Sequence, residues 1–209
     1  MPAALMPTSR PHTSLSLVVG QGRREITSEE LVPGLVSGEA WAIAEAWHRF
    51  APMVTMMAER CLGSSSEAED VCQEVFYRML RRVKTLRQPE RLRSFIYSVS
   101  LRVLKAELRR RKVRGWLTHL QAAPLDVAFQ GPDIESRDLV ARLYALLGRL
   151  TPRDRLVFVL RRMESKRVDE IATAMDISTS TVKRSMAHAA SRLSRWVEAD
   201  PGLACLVAR

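Results

Sequence analysis

The residues of this chain that could do chemistry are charged side chains gathered into blocks of one sign. Residues 67–74 hold four acids and no base. Residues 77–115 hold 14 Lys or Arg and 2 Glu, a net charge of +12. Surfaces that serve solubility alone usually mix the two signs, so blocks of this size indicate binding to charged partners.

Catalytic and metal-binding patterns are missing from the sequence. The cysteines Cys61, Cys72 and Cys205 are too scattered for a disulfide scaffold, and the four histidines lie far apart. No CxxC or HExxH pattern, nucleophile–base pair or glycine-rich phosphate loop occurs. We therefore expect a protein that is not an enzyme and that holds no metal and no cofactor.

The overall composition favours a globular protein with a polyanionic partner. The 209 residues carry a formal net charge of +10, and 46% of them are hydrophobic. No apolar run approaches the ~18 residues that a membrane span needs, and the short stretch Leu15 to Val19 is poorly flanked for a signal peptide. The sequence predicts a cytoplasmic protein without a membrane partner.

Hydrophobic residues recur at spacings of three and four from Glu29 to about Gly115, which predicts helices, and strand signals are absent. Residues 1–27 are rich in Pro, Ser, Thr and Gly and are interpreted as a disordered tail. The three apolar stripes are Trp41, Ala44, Trp47 and Ala51; Val71, Val75, Met79 and Val83; and Leu92, Phe95, Ile96, Val99, Val103 and Leu108.

A break in periodicity divides the chain into two helical units. Residues 116–137 contain Pro124, Gly131 and Pro132 and are interpreted as a flexible linker. The predicted fold class is therefore all-α, with small helical domains at 28–115 and 138–198 and a C-terminal tail at 199–209.

The second unit has the pattern of a helix-turn-helix. Thr151 and Pro152 predict the start of one helix, and Ser178 predicts the cap of the last one. Between them, Asp176 occupies a turn position where Asp tolerates a left-handed backbone. The face of the last helix opposite its apolar side carries short polar and basic side chains, which suit a helix in a DNA major groove. An ordinary helical hairpin with a solvated face is the alternative.

The acidic block has two interpretations. Ser66 and Glu69 have the spacing of a capping box, and acids in the first turn of a helix favour its dipole. Glu69, Asp70, Gln73 and Glu74 also lie together away from the apolar stripe, which favours docking to a partner. In the basic block, Phe95 is predicted to belong to the core, whereas Tyr97 could pack in the core or stack on a base.

The motifs of both units resemble the extracytoplasmic-function (ECF) group of the sigma-70 family of bacterial sigma factors. The run from Ala68 to Phe76 resembles the polymerase-docking helix of the second sigma domain, and the run from Leu92 to Tyr97 resembles the stretch that handles the −10 promoter element. Residues 150–158 and 169–183 resemble the fourth sigma domain, a helix-turn-helix that reads the −35 element. The two domains occur in the family's order, joined by a linker.

The resemblance implies a sigma factor that binds core RNA polymerase and directs promoter recognition and DNA opening. Its implied partners are core RNA polymerase, promoter DNA that is duplex at −35 and melted at −10, and in some members an anti-sigma factor. The implied polymerase-docking residues are Glu69, Asp70, Gln73, Glu74 and Phe76. The implied −10 DNA-binding residues are Lys84, Arg87, Gln88, Arg91, Arg93, Tyr97, Arg102 and Lys105. The implied −35 DNA-binding residues are Ser178, Thr179, Ser180, Thr181, Lys183, Arg184 and His188.

Several positions depart from the usual family pattern. Phe95 stands where Trp is usual, and Ser98 to Arg102 replace an Arg-Ile-Ala-x-Asn run, so the −10 sequence preference is open. Arg167 stands where a Ser or Thr cap is common. The alternative function is a helix-turn-helix transcription regulator that does not join polymerase, and this alternative leaves the acidic block without a role.

Overall fold

The computed structural model describes residues 26–118, 134–200 and 202–203. The predictions for the first 25 residues, for most of the linker and for residues 204–209 lie outside these ranges. The described part contains helices and no strand, which confirms the all-α class. The helices are α1 (Ser28–Ser37), α2 (Ala40–Leu62), α3 (Ser65–Arg82), α4 (Leu92–Thr118), α5 (Ile134–Arg149), α6 (Pro152–Arg162), α7 (Val168–Met175) and α8 (Thr179–Glu198), with 3-10 turns at Val83–Thr85 and Pro89–Arg91.

Helix α1 begins with a reciprocal cap at the end of the segment predicted to be a tail. The Thr27 hydroxyl accepts a hydrogen bond from the Glu30 backbone N–H at 3.3 Å, and the Glu30 carboxylate accepts from the Thr27 N–H at 3.2 Å. Ile26 packs against the core. The cap and this apolar contact therefore fix the entry of the chain into α1.

The first core lies between α2, α3 and α4. The stripe from Val71 to Val83 is buried as predicted, and the stripe on α4 is buried except for the partly exposed Phe95. The stripe predicted on α2 is wrong for three of its four residues, because Trp41, Ala44 and Trp47 are exposed and only Ala51 is buried. The residues of α2 that are buried are Ala42, Ala46, Phe50, Ala51, Val54, Met57, Ala58, Cys61 and Leu62.

The start of α3 also differs from the prediction. Its N-cap is Ser64, whose hydroxyl accepts from the Glu67 N–H at 3.3 Å, and not Ser66. Helix α2 ends at Gly63 with a left-handed backbone (φ 71°), so the next helix can begin at once and Ser66 falls inside its first turn. Glu69 is therefore free of the capping role proposed for it.

The helix-turn-helix has the predicted boundaries. Thr151 caps α6 with Pro152 in its first turn, and Ser178 caps α8 through the Thr181 N–H at 3.2 Å. Asp176 ends α7 in the left-handed region at φ 55°, as expected for a turn position that many proteins fill with Gly. At the start of α7, Arg167 provides no side-chain cap, and the Glu170 carboxylate accepts the Arg167 N–H at 2.7 Å instead.

Candidate protein-docking and nucleic-acid surfaces

An acidic face lies on α3, turned away from the core. Glu69, Asp70 and Gln73 are exposed, and Glu74 is half-exposed and accepts a hydrogen bond from Arg78 at 2.6 Å. The helix period places these four side chains on adjacent turns of one face. The structure therefore groups four of the five residues predicted to dock on polymerase, and we call Glu69, Asp70, Gln73 and Glu74 the acidic face.

Phe76, the fifth predicted docking residue, is only 4% exposed. Its ring packs against Trp47 of α2 with centroids 4.6 Å apart. A buried ring cannot make the direct contact that the resemblance implied, so its role is to hold α3 against α2. The helical spacing of Cys72, Phe76 and Met79 is a sequence signal that could have placed it in the core.

A groove of about 560 Å³ runs beside the acidic face between α2 and α3. Trp47, His48 and Pro52 line it from α2, and Glu69 and Gln73 line it from α3. Trp47 is 43% exposed despite its contact with Phe76. Sequence reasoning placed Trp47 in the core and so missed the groove, which gives the acidic face an apolar floor.

The predicted −10 residues lie along the two 3-10 turns and α4. Most of them are exposed, as a surface for phosphates requires, while Lys105 and Tyr97 are half-buried. The exposed members are Lys84, Arg87, Gln88, Arg91, Arg93 and Arg102. Few acids accompany them, so the segment from the first 3-10 turn to the end of α4 presents a basic surface.

Tyr97 lies on the side of α4 that faces the helix-turn-helix. Its hydroxyl is buried and makes no hydrogen bond to another atom of the described residues, and the Lys166 ammonium lies 5.5 Å from its ring centroid. Burial, reinforced by the nearby Glu164 carboxylate, raises the pKa of the Tyr97 hydroxyl. In this arrangement the ring is covered by the second unit and is not available to stack on a base.

Polar contacts join the two helical units. Arg60 of α2 forms an ion pair with Glu164 and donates to the Met163 carbonyl at 3.2 Å. The Tyr144 hydroxyl of α5 donates to the Glu59 carbonyl at 3.4 Å. Arg155 of α6 is only 6% exposed, and burial lowers the pKa of its guanidinium. These contacts and a shared apolar core hold the units in one closed arrangement.

We expect Arg60→Glu to open this arrangement, because the new carboxylate would face Glu164. Repulsion at a partly exposed contact is worth about 1–2 kcal/mol, enough to shift a closed–open equilibrium by roughly 5- to 30-fold. Small-angle X-ray scattering should then give a radius of gyration larger than that of the unmodified chain. The double variant Arg60→Glu/Glu164→Arg restores an opposite-charge pair and should return the smaller value. If the single variant stays as compact as the parent, the ion pair does not control closure.

The predicted −35 residues lie on the first three turns of α8. All of them are exposed except Thr181, which is half-buried, so they form one outward surface. The Ser178 hydroxyl is already bonded within the cap, 2.9 Å from the Ser180 hydroxyl and 2.8 Å from that of Thr181. Lys183 and Arg184 supply the positive charge of this surface, which we call the α8 face.

His188 ends the α8 face and has a partner that the sequence did not reveal. Its Nδ1 lies 2.8 Å from the Oδ2 of Asp154 on α6. The Asp154 side chain is 4% exposed and that of His188 is 44% exposed. The two residues are 34 positions apart, so only the packing of α6 against α8 brings them together.

Among residues 26–118, 134–200 and 202–203, no three His, Cys, Asp or Glu side chains are grouped so that they could hold a metal ion. In the same ranges, no helix has both the length and the apolar character needed to cross a bilayer. The described residues thus present three charged surfaces: the acidic face with its groove, the basic surface around α4, and the α8 face.

Comparison with known proteins gives consistent matches for both units. Residues 46–114 match the family model of Sigma-70 region 2, and residues 141–193 match that of Sigma-70, region 4; together they cover more than half of the chain. The ECF RNA polymerase sigma factor SigM of Mycobacterium tuberculosis is 25% identical over 178 residues, covering 83% of this chain and 86% of that protein. The ferric citrate uptake sigma factor FecI of Escherichia coli is 29% identical over 134 residues, covering 62% and 76%.

A solved structure shows the same fold. The sigma factor RpoE in complex with the anti-sigma factor NepR from Bartonella quintana aligns with a TM-score of 0.55 at 14% identity. The alignment covers 75% of this chain and 97% of RpoE. At this identity the likeness concerns the fold alone.

Proposed function

The chain belongs to the sigma-70 family as an RNA polymerase-binding sigma factor that directs promoter recognition, and we propose how its three surfaces divide this work. The acidic face binds the polymerase, the basic surface around α4 binds the −10 element, and the α8 face binds the −35 element. The observation that carries the proposal is the separation of charge: an acidic face and two basic ones lie on different helices of one chain.

The acidic face supplies the polymerase contact. Glu69, Asp70 and Gln73 are exposed on consecutive turns. In the adjacent groove, Trp47 and Pro52 provide an apolar contact surface. Aromatic side chains at the centre of a polar rim are typical of residues that contribute most to protein–protein affinity. Phe76 contributes indirectly, because its buried ring packs against Trp47 and fixes the position of α3.

The basic surface around α4 supplies the −10 contact. Lys84 to Arg91 precede the helix and would hold bases of the opened strand, while Arg93, Arg102 and Lys105 track nearby phosphates. Tyr97 can join them only after the second unit moves away from α4. We therefore propose that the closed arrangement opens when the chain engages polymerase and promoter.

The α8 face supplies the −35 contact. Thr179, Ser180 and Lys183 lie near the N-terminus of α8, where a recognition helix enters the major groove. The hydroxyls bind base edges or phosphates, and Lys183 and Arg184 add charge that makes binding strongly salt-dependent. DNA elements about two helical turns apart require the two units to be held apart by a third body, and the polymerase is the candidate.

We propose three further properties of a sigma factor for this chain: the absence of catalysis, its cellular location and a second protein partner. The chain binds and positions DNA and catalyses no reaction itself, and it works in the cytoplasm where the polymerase is. An anti-sigma factor is a further candidate partner, because RpoE, which shares the fold, is bound by one. A helix-turn-helix regulator that never joins polymerase is the competing function, and it would have no use for the acidic face.

Run-off transcription with core polymerase on a genomic DNA library tests the proposal. We expect the chain to co-purify with core enzyme and to produce start sites that share upstream −35 and −10 sequences. Core enzyme alone is the control and should give none of these starts. A chain that binds duplex DNA but neither joins core enzyme nor changes its start sites would be the competing regulator.

A further inference from the structure

We propose that Asp154 and His188 couple binding of duplex DNA by the α8 face to the uptake of a proton. His188 is the residue that contacts the DNA, and Asp154 is the residue that positions it. This inference rests on the proposed role of α8 in reading duplex DNA and adds to it a dependence on pH.

The pair is a buried carboxylate that holds an exposed imidazole. Asp154 lies in the first turn of α6, where its own N–H donates to the Thr151 hydroxyl at 3.1 Å. The positive end of the helix dipole favours a charged carboxylate there. Burial raises the pKa of the Asp154 carboxyl, but hydrogen bonds from His188 and Thr151 more than offset this effect and leave the pKa below its usual value.

A charged Asp154 fixes which His188 nitrogen carries a hydrogen. A carboxylate only accepts hydrogen bonds, so at 2.8 Å the imidazole Nδ1–H must be the donor. In the neutral ring Nε2 is then a bare acceptor, which a DNA phosphate or a guanine edge would repel. In the protonated ring Nε2–H is a donor carrying positive charge, which phosphate and guanine oxygens accept. Contact of Nε2 with a phosphate or a guanine edge thus selects the protonated ring, and this is the contact that we propose.

Other charged groups around α8 do not replace Asp154. The acids of the packed helices have other partners. On α7 the Asp169 carboxylate accepts from the Arg167 side chain at 2.6 Å and the Glu170 carboxylate accepts the Arg167 N–H. On α5 the Asp138 carboxylate accepts from Arg142 at 2.6 Å. The charged groups on α8 and on the three helices packed against it include Arg184 and Arg192 of α8, Arg153 and Arg155 of α6, Arg149 of α5, and Asp169 and Glu170 of α7. Asp154 is the carboxylate that the structure places in hydrogen-bond contact with His188.

The direction of the pH dependence follows from the linkage between proton binding and DNA binding. Histidine side chains ordinarily titrate near pH ~6.5, and a phosphate contact favours the charged form further. When the pKa of a histidine is higher in the complex with DNA than in the free chain, DNA binds most tightly at low pH. Binding then weakens as the pH rises through the pKa in the complex. If the two values differ by one unit, affinity falls by about tenfold over the whole titration and by about sixfold between pH 6 and pH 8.

The test measures binding of the full-length chain to a duplex that the chain itself selects from a random-sequence library. Fluorescence anisotropy is read from pH 5.5 to 8.5 at constant ionic strength, because salt alone changes the affinity. We expect binding to weaken about 5- to 10-fold from pH 6 to pH 8, with a maximum slope of about half a proton. The His119→Ala variant, which changes a histidine of the segment predicted to be a linker, should keep this slope.

Three variants separate a proton-linked contact from a structural one. His188→Ala should bind at pH 6 as weakly as the parent does at pH 8, without the slope. His188→Lys should bind at every pH about as well as the parent at pH 6. Asp154→Asn keeps the shape of Asp154 but should move the slope to lower pH; its helical circular dichroism and melting temperature report whether it folds. A parental slope in His188→Ala or in Asp154→Asn would overturn the proposal.

Failure of this inference is distinguishable from failure of the proposed function. A chain that starts transcription with core polymerase but binds its duplex equally at pH 6 and pH 8 disproves the proton coupling alone. A chain that shows the pH slope but never joins polymerase disproves the polymerase role and leaves the coupling in place.

Discussion

Reversing two charges on the acidic face, Asp70→Lys with Glu74→Lys, is expected to abolish promoter-directed transcription. An acidic docking surface implies a basic surface on the polymerase, and placing like charges against it costs several kcal/mol. A loss of about 3 kcal/mol lowers the affinity for core enzyme by more than 100-fold. Run-off transcription at fixed polymerase concentration measures the loss, and binding of the same variant to a selected −35 duplex should be unchanged.

The matched control changes the net charge of the chain by the same amount, at residues on helices other than α3. Glu29 and Glu198 are exposed on α1 and at the end of α8, and Glu29→Lys with Glu198→Lys should transcribe at nearly the parental level. Reversal at residue 74 also removes the ion pair with Arg78, worth about 0.3–0.5 kcal/mol on an exposed helix, so a thermal melt should show little change. Full activity in Asp70→Lys/Glu74→Lys would remove the acidic face from polymerase docking.

Local signals in the sequence predicted the helix-turn-helix well. Caps and turns depend on residues within four positions of one another, so Thr151, Ser178 and Asp176 could be assigned their places without knowledge of the fold. The stripe on α3 followed from helical spacing for the same reason. The cap predicted at Ser66 is wrong because Ser64 caps α3, and the position of that cap depends on where α2 ends at Gly63.

Long-range packing accounts for what the sequence did not reveal. Trp47 was expected to be buried, but the small Ala42 and Ala46 occupy the buried side of α2 and Trp47 is 43% exposed. The pairing of His188 with Asp154 and the burial of Arg155 depend on how α6 lies against α8 and α2. No periodicity in the chain encodes such contacts, since charged residues ordinarily remain exposed.

DNA opening is expected only when core polymerase is present. Separating on the order of ten base pairs costs about 14 kcal/mol at ~1.4 kcal/mol per step. Stacking each captured base on an aromatic side chain returns about 1–3 kcal/mol. Tyr97, the aromatic residue among the predicted −10 contacts, is covered by the second unit in the closed arrangement, so the free chain lacks even this contribution.

Permanganate footprinting on a promoter fragment measures this dependence, because it oxidises thymines that are no longer stacked. The chain alone should leave every thymine unreactive, core enzyme alone should do the same, and the two together should expose a continuous run that includes the −10 element. The Arg60→Glu variant provides a sharper form of the test. It should uncover Tyr97 without polymerase and still open no DNA, because one or two stacked bases recover only a small part of the ~14 kcal/mol. Reactive thymines with the free chain would mean that the energy for opening comes from the chain itself and not from its assembly with polymerase.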